Sequence, residues 1–425
     1  MTNRRALTAA LGFAFAAAGG GCEDGPSTGQ VVRSTEPRVL APQSGSADLS
    51  QLAADNNAFA VDLYRTLRAD PKLTTDSGNM VFSPECISIA LAMTYGGAEG
   101  TTATQMATTL HFALPAERLH PAFDALDLAL TAPATMSGAF QLNLANALWA
   151  QQGFTMLPSF LDLLAENYGA GVRLVDFARA TEQARQSINN WVSGETAGRI
   201  PELLPVGVLD PSTMLVLTNA VYFKADWQTP FPPNSGSGTF NAPAGPVTVP
   251  MMLGDFAAPV WSGPGYSATA LPYAGGTASM VLIVPDAGTF DTFEAALTAD
   301  TLATIIAGST GVFGGVLMPR FTFDQHFSLG DTLQSMGMTD AFDGSRADFS
   351  GIDGQRDLVI SDVIHQANIA VDEQGTVATA ATAVVITLLS AMTPSLRVDR
   401  PFIFLIRDDA TGSILFMGRV LDPSQ

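Results

Sequence analysis

Between Asp372 and Ser390 the chain reads DEQGTVATAATAVVITLLS. This stretch opens on acidic and amide residues and a glycine, and the chain then carries no charge from residue 375 to residue 396. Thr, Val and Ile, which suit strands, dominate its second half. Both faces of such a strand are uncharged and small or β-branched, and a strand of that kind belongs in the middle of a covered sheet. A run like this is ordinarily a buried helix or strand, and periodicity alone does not say whether the active protein buries it.

Length and charge bound the class of protein. The chain has 425 residues, of which 47% are hydrophobic and 14% charged, and its net charge is −20. It is long enough for one large core or for about two to three average domains. The strong acidity argues against nucleic acid and anionic membrane surfaces as partners, because both carry negative charge themselves.

The N-terminus has the pattern of an export signal over residues 1–21. Arg4 and Arg5 form a short positive region, residues 6–18 are apolar, and three glycines precede Cys22. A cysteine directly after small residues at this distance resembles a bacterial lipoprotein cleavage site, so we expect lipidation at Cys22, with plain secretion as the alternative. The apolar stretch is too short for a spanning helix.

Residues 22–49 are rich in Gly, Ser, Pro and Gln, a composition that predicts a flexible tether. No linker follows, so residues 50–425 are expected to form one domain. If Cys22 is acylated, Cys86 is the only cysteine left and no intrachain disulfide can form. Packing alone must then stabilise the domain.

Helix-like and strand-like segments are mixed without strict alternation. Apolar residues at helical spacing predict a helix over 50–70, and a strongly apolar run predicts a strand over 214–223. A hairpin pattern joins 401–407 to 413–420 around an Asp-Asp-Ala-Thr-Gly turn. The mixture favours an α+β fold over a doubly wound one.

The sequence lacks the usual catalytic and metal-binding motifs. G-x-S-x-G occurs once, at 25–29, inside the tether-like stretch and not at the strand-to-helix turn that a nucleophile elbow needs. H-E-x-x-H and C-x-x-C are absent, and none of the four histidines pairs with another at metal-ligand spacing. We therefore expect no metal and no cofactor. Acidic residues abound, so counting does not exclude a carboxylate-based hydrolase, yet such abundance usually reflects a solvated surface.

Several motifs follow one another in the order that the serpin family has them, and from about residue 57 to residue 423 the chain resembles that family of serine protease inhibitors. The motifs are NMVFSP at 79–84, LTNAVYFKADW at 217–227 with PF at 230–231, GMTDAF at 337–342, ADFSGI at 347–352, RPFIF at 400–404 and FMGRV at 416–420. The resemblance implies the serpin fold, with three β-sheets, about eight or nine helices and an exposed reactive-centre loop.

The resemblance also assigns roles to polar residues within these motifs. Ser83, Asn219 and His365 match the family's shutter, a hydrogen-bonded cluster under the strands that part for the loop. Trp227 matches the aromatic residue at the top of the sheet, where the loop enters, and is equally suited to be a core anchor. Cys86 stands at a shutter position that is commonly Ser, and its larger, weakly donating thiol would loosen the cluster or make it sensitive to oxidation.

The quoted stretch matches the hinge and the reactive-centre loop of the family. The hinge begins at Glu373, and its inserting residues are small, as inhibitory members require: Gly375, Thr376, Ala378, Ala380 and Ala381. The family spacing, counted from Glu373, puts the scissile bond between Leu389 and Ser390, with a slip of one residue left open. The residues around it resemble those of chymotrypsin-inhibiting members.

The resemblance implies irreversible suicide-substrate inhibition of chymotrypsin-like serine proteases, with residues 376–389 inserting into the central sheet. A non-inhibitory binding or carrier serpin, and an inhibitor of subtilisin-like or cysteine proteases, remain alternatives. A lipid-anchored hydrolase has no motif behind it. We expect an exported monomer that is not itself an enzyme and touches membranes only through Cys22. The basic residues are scattered, so no heparin-type site is expected.

Overall fold

The computed structural model describes residues 29–70, 77–137, 140–233, 236–308, 312–376 and 395–425. Within these ranges the chain is an α+β fold with ten α-helices, several of them only one or two turns long. The helices are α1 (Ser46–Ala69), α2 (Pro84–Tyr95), α3 (Gly100–Thr109), α4 (Ala116–Ser137), α5 (Pro158–Tyr168), α6 (Phe177–Glu195), α7 (Phe290–Ala295), α8 (Ala299–Ala307), α9 (Gly330–Ser335) and α10 (Ser350–Asp353).

Sixteen strands are found in the same ranges. They are β1 (Gln30–Val32), β2 (Met80–Phe82), β3 (Phe140–Gln151), β4 (Val172–Val175), β5 (Leu215–Asp226), β6 (Ser237–Ala242), β7 (Gly245–Gly263), β8 (Tyr266–Pro272), β9 (Ala278–Pro285), β10 (Val312–Pro319), β11 (Phe321–Ser328), β12 (Ile360–Val371), β13 (Gly375–Thr376), β14 (Leu396–Arg397), β15 (Phe402–Asp408) and β16 (Ile414–Val420). The predicted helix near the N-terminus and the predicted C-terminal hairpin are confirmed as α1 and the β15–β16 pair.

The strands form two extended ladders. The first, which we call the central sheet, has the order β1-β4-β3-β5-β13-β12-β11. The second runs β14-β10-β7-β8-β9-β15-β16-β2, with β6 beside β7. The 19-residue β7 pairs in turn with β6, β10 and β8, so it joins two groups of strands into one continuous ladder.

Strand β5 lies in the middle of the central sheet because both of its faces are apolar. Val216 and Ala220 pack into a cluster with α6, on one side of the sheet. Leu217, Val221 and Phe223, on the alternate face, pack into the main core on the other side. Successive side chains of a strand point to opposite faces, so the nearly continuous burial along β5 is what a sheet covered on both faces requires.

The segment before α1 packs on the body of the protein. β1 pairs antiparallel with β4 and so extends the edge of the central sheet. Further along, Arg38 donates from Nε to Asp124 Oδ1 over 2.7 Å and from Nη2 to Asp127 Oδ2 over 2.6 Å. This differs from the expected tether over 22–49, since the described part of that range is a strand, a docked arm and the first turn of α1. Contacts with residues distant in sequence hold this segment in place, although its composition is that of a tether.

The helices of the described ranges include none that is both long and apolar enough to cross a membrane. The expected signal over 1–21 and the expected lipidation at Cys22 lie outside the described residues.

We predict that Arg38→Met lowers the free energy of unfolding by about 2–4 kcal/mol, because the Asp124 side chain is fully buried and would lose its cationic partner. Urea denaturation measures the change. Arg346→Met is the matched control, since Arg346 also bridges two carboxylates but is 53% exposed. It should cost less than about 1 kcal/mol. Equal losses of stability in the two variants would show that the Arg38–Asp124 ion pair does not anchor the segment before α1.

Candidate functional site

The two middle strands of the central sheet, β5 and β12, meet along only part of their length. They pair in parallel from Ile360 opposite Leu215 to Ala367 opposite Val221. Beyond that point β13 lies between them, with Thr376 opposite Ala225 of β5 on one side and opposite Val371 of β12 on the other. The sheet therefore opens at one end, and the first residues of the predicted hinge occupy the opening.

Gly375 fits this opening because it has no side chain. A Cβ at this position would stand 2.0 Å from the carbonyl oxygen of Ala225, far inside van der Waals contact. A tight turn just before it aims the backbone inward, because Asp372 Oδ1 accepts the N–H groups of Gln374 at 2.8 Å and of Gly375 at 3.2 Å. Such turns are typical of Asp, whose short side chain can bond its own backbone two residues on. The predicted small hinge residue at 375 thus has a steric cause.

Trp227 holds the same turn from the β5 side. Its indole Nε1–H donates to the carbonyl of Asp372 at 2.9 Å, and its backbone N–H donates to the carbonyl of Gln374 at 2.8 Å. Its ring stacks on Tyr273 with centroids 4.7 Å apart and an interplanar angle of 6°. Trp227 is therefore both a core anchor and a contact of the hinge.

An ion pair with Arg320 holds the side chain of Glu373 in place. Its carboxylate is 7% exposed and is ion-paired with the guanidinium of Arg320, which follows β10. The backbone carbonyl of Glu373 also accepts the N–H of Phe231 at 2.9 Å. A carboxylate this buried is tolerated because it is paired, so the ion pair fixes where the hinge leaves β12.

Ser83, Asn219 and His365 meet beneath the paired part of β5 and β12. The N–H of Ser83 donates to His365 Nε2 at 3.0 Å, and the opposite ring nitrogen, Nδ1, is bonded to Asn219 Oδ1. His365 and Asn219 stand directly opposite each other in the two strands. Asn219 Nδ2 in turn donates to Asn146 Oδ1 on β3. The chain of bonds ties helix α2 and three strands of the central sheet together.

This network fixes the neutral form of His365. Nε2 accepts from Ser83, so the proton sits on Nδ1 and points to Asn219. Complete burial, with a smaller contribution from the charge of His326, lowers the pKa of His365 to about 3. The ring also stacks over Phe327 at 6.1 Å. Protonation would cost the Ser83 bond, because Nε2 would become a donor.

Helix α2 begins at the same cluster for reasons visible in the sequence. Ser83 is its N-cap and accepts the N–H of Cys86 at 3.3 Å, while Pro84 fills the first helical position. The thiol of Cys86 is buried, and burial raises its pKa. A buried thiol held in the protonated form reacts poorly, which argues against the oxidation-sensitive alternative for Cys86.

The predicted site residues thus fall into two groups. Ser83, Cys86, Asn219 and His365 form one, and Trp227 joins Glu373, Gly375 and Thr376 in the other. Ala378, Ala380, Ala381, Leu389, Ser390 and Cys22 lie outside the described residues. Sequence reasoning missed four members: Asn146, Tyr273, Arg320 and Asp372. Two of these carry a signal in the sequence: Asn146 is a polar residue inside the apolar run of β3, and Asp372 is a turn-forming residue shortly before Gly375.

Nothing in the part of the chain that the structure describes resembles a metal site, since no three His, Cys, Asp or Glu side chains converge there. The site thus combines hydrogen bonds that hold β5 and β12 together with a hinge segment, Gly375–Thr376, that lies between the same two strands.

Comparison with known proteins places this architecture in a family. Residues 54–423 match the family model described as serpin (serine protease inhibitor). An uncharacterized serpin-like protein of Thermococcus kodakarensis is 39% identical over 86% of this chain and 84% of its own length. The leukocyte elastase inhibitor A of Rattus norvegicus is 38% identical, over 88% of this chain and all of its own length.

Solved structures show the same fold. The native thermophilic serpin tengpin superimposes with a TM-score of 0.78 at 28% identity, covering 92% of this chain and 100% of tengpin. Thyroxine-binding globulin in complex with thyroxine superimposes with a TM-score of 0.76 at 29% identity, covering 88% of this chain and 99% of that one.

We predict that stability falls as the pH is lowered from 6.5 to 4, partly because of His365. Its folded pKa of about 3 lies below the ordinary 6.5, so within this window the unfolded state binds more protons than the folded state. The stabilisation is complete above about pH 6.5 and is lost progressively toward pH 3, amounting to the order of a few kcal/mol. His120, whose pKa burial lowers to about 4, adds to the same fall.

Urea midpoints measured across this range should fall less steeply for His365→Asn than for the wild type. His111→Asn is the control, because His111 is partly exposed and paired with Asp62. The same slope in His365→Asn and the wild type would contradict a buried neutral imidazole at this position.

Proposed function

This chain belongs to the serpin family of protease inhibitors, and from that premise we propose that it irreversibly inhibits chymotrypsin-like serine proteases by loop insertion. The observation that carries the proposal is the position of Thr376, which is buried between β5 and β12 at the open end of the central sheet. The uncharged residues that follow it in sequence, as far as 396, suit the same slot.

The chemistry begins at the proposed bait bond. The protease's serine oxygen attacks the carbonyl carbon of Leu389, the bond to the Ser390 nitrogen breaks, and that nitrogen leaves with a proton. An ester then joins the protease to Leu389. Leucine before the scissile bond suits an apolar primary pocket such as that of chymotrypsin.

Insertion follows as strand addition, for which serpin loops are a standard example. Residues 377–389 continue from Thr376 between β5 and β12, antiparallel to both. A strand from 376 to 389 is roughly 45 Å long, so the ester-linked protease is carried to the far end of the sheet. Each new ladder bond contributes about 1 kcal/mol net, and burial of side chains adds to it. The uncleaved form is then kinetically rather than thermodynamically stable.

The His365 cluster is proposed to act as the shutter. The pairs from Val221–Ala367 to Leu215–Ile360 must separate for the loop to enter, and the Asn219–His365 bond crosses this same line. This bond is buried and linked onward to Ser83 and Asn146. Breaking it therefore leaves several buried polar groups that need new hydrogen-bond partners.

A second candidate is a binding or carrier role without inhibition. It is favoured by the structural similarity to thyroxine-binding globulin. The small hinge residues at 375 and 376 favour inhibition instead, because they permit insertion. The relatives named as leukocyte elastase inhibitors make elastase-like enzymes a further target class, beside subtilisin-like and cysteine proteases.

We further propose that the protein is exported as a monomer and held at the cell envelope by a lipid on Cys22. The signal-like residues 1–21 support this proposal.

Titration of the protein with chymotrypsin, followed by denaturing gels and sequencing of the released peptide, tests the proposal. We expect a denaturant-stable complex at close to one-to-one stoichiometry and a peptide that begins at Ser390. Parallel titrations with elastase and with subtilisin distinguish between the target classes. Cleavage without any complex across the panel would reject inhibition, and an intact loop throughout would favour the carrier role.

We predict that Thr376→Arg converts the protein from an inhibitor into a substrate. The side chain of Thr376 is buried, and placing an unpaired guanidinium there costs several kcal/mol, which slows insertion until water releases the protease. Gels should show cleaved protein in place of complex. Thr248→Arg, on an exposed position of β7, is the matched control and should trap protease as the wild type does. Unchanged trapping by Thr376→Arg would exclude insertion at this residue.

A further inference from the structure

Two hydroxyl groups meet at the point where the hinge enters the sheet. The Tyr273 hydroxyl lies 2.7 Å from Thr376 Oγ1, within hydrogen-bond distance, and both residues are buried. They are 103 positions apart in sequence, so no local structure brings them together. We propose that this pair is a latch that fixes the register of the first inserted residue, which makes Tyr273 a positioning residue for loop insertion. The role in insertion rests on the proposed function.

The ring of Tyr273 is held in place without help from its hydroxyl. It stacks on Trp227, meets Phe223 edge-on with centroids 5.3 Å apart, and its backbone N–H donates to the carbonyl of Ala278 at 2.9 Å. A phenylalanine would keep every one of these contacts. The hydroxyl is thus presented to the hinge by a rigid support, and its partner in the described part of the chain is Thr376.

The pair discriminates between registers of the inserting strand. Successive side chains of a strand point to opposite faces, so a slip by one residue would turn Thr376 away from Tyr273. Two buried hydroxyls would then lack hydrogen-bond partners, which destabilises the slipped register relative to the observed one. Burial also raises the pKa of Tyr273, so the phenol keeps its proton at neutral pH. Once Thr376 is fixed opposite Ala225 and Val371, the residues after it follow in the same register.

Conservative hydroxyl deletions test the latch. Tyr273→Phe and Thr376→Val each remove one hydroxyl and leave the other buried, whereas the double variant removes both and leaves two apolar groups in contact. Tyr266→Phe is the control, because Tyr266 lies opposite Pro285 at the other end of β8 from Tyr273. Hydrogen exchange over residues 372–376 reports the latch in the free protein, and the ratio of cleaved inhibitor to covalent complex reports insertion.

We expect each single variant to speed exchange over 372–376 and to raise the ratio of cleaved inhibitor to complex by about fivefold, which corresponds to one buried hydroxyl without a partner. The double variant should lie closer to the wild type than either single variant, and Tyr266→Phe should match the wild type. Singles that leave both readouts unchanged, or a double variant as impaired as the two singles combined, would overturn the latch. If the wild type traps no protease while the exchange pattern holds, the latch stands as a hinge contact and the inhibitor proposal falls.

Discussion

Strands β5 and β12 pair along only part of their length, and both the hinge and the His365 cluster are arranged around this incomplete pairing. A parallel pair that ran to its end would close the central sheet, but here Gly375 and Thr376 occupy the last positions. The sheet therefore already contains the start of another strand. Three sets of polar contacts define this boundary: Glu373 and Arg320 fix the exit from β12, Trp227 binds the turn, and the His365 cluster holds the remaining pairs together.

The two clusters act on opposite sides of the same boundary. At the open end the contacts favour insertion, since Gly375 has room only because it lacks a Cβ and Thr376 has a partner for its hydroxyl. At the paired end the Asn219–His365 bond resists it, because a buried polar network is costly to leave half satisfied. In the mechanism we propose, the form held between these two clusters is kinetically stable and converts once its loop is cut.

Much of this could be predicted from the sequence, because the determinants are local. The two apolar faces of β5 indicate a strand covered on both sides, and Ser83-Pro84 indicates where α2 begins. The family resemblance brought together Ser83, Asn219 and His365 in advance. What the sequence concealed are pairs made across long stretches of chain. Tyr273 and Thr376 have no shared periodicity, and the docked arm, which Arg38 ties to Asp124, has the composition of a linker.

We propose that the intact protein is a metastable form whose central sheet is completed by its own loop after cleavage. The most direct measurement is urea unfolding of the intact protein and of the same protein after its loop has been cut by a protease that it does not trap. We predict that the cut form unfolds at a markedly higher urea concentration, because residues after Thr376 have joined the ladder between β5 and β12. A cut form with an equal or lower midpoint would show that the loop does not complete the central sheet.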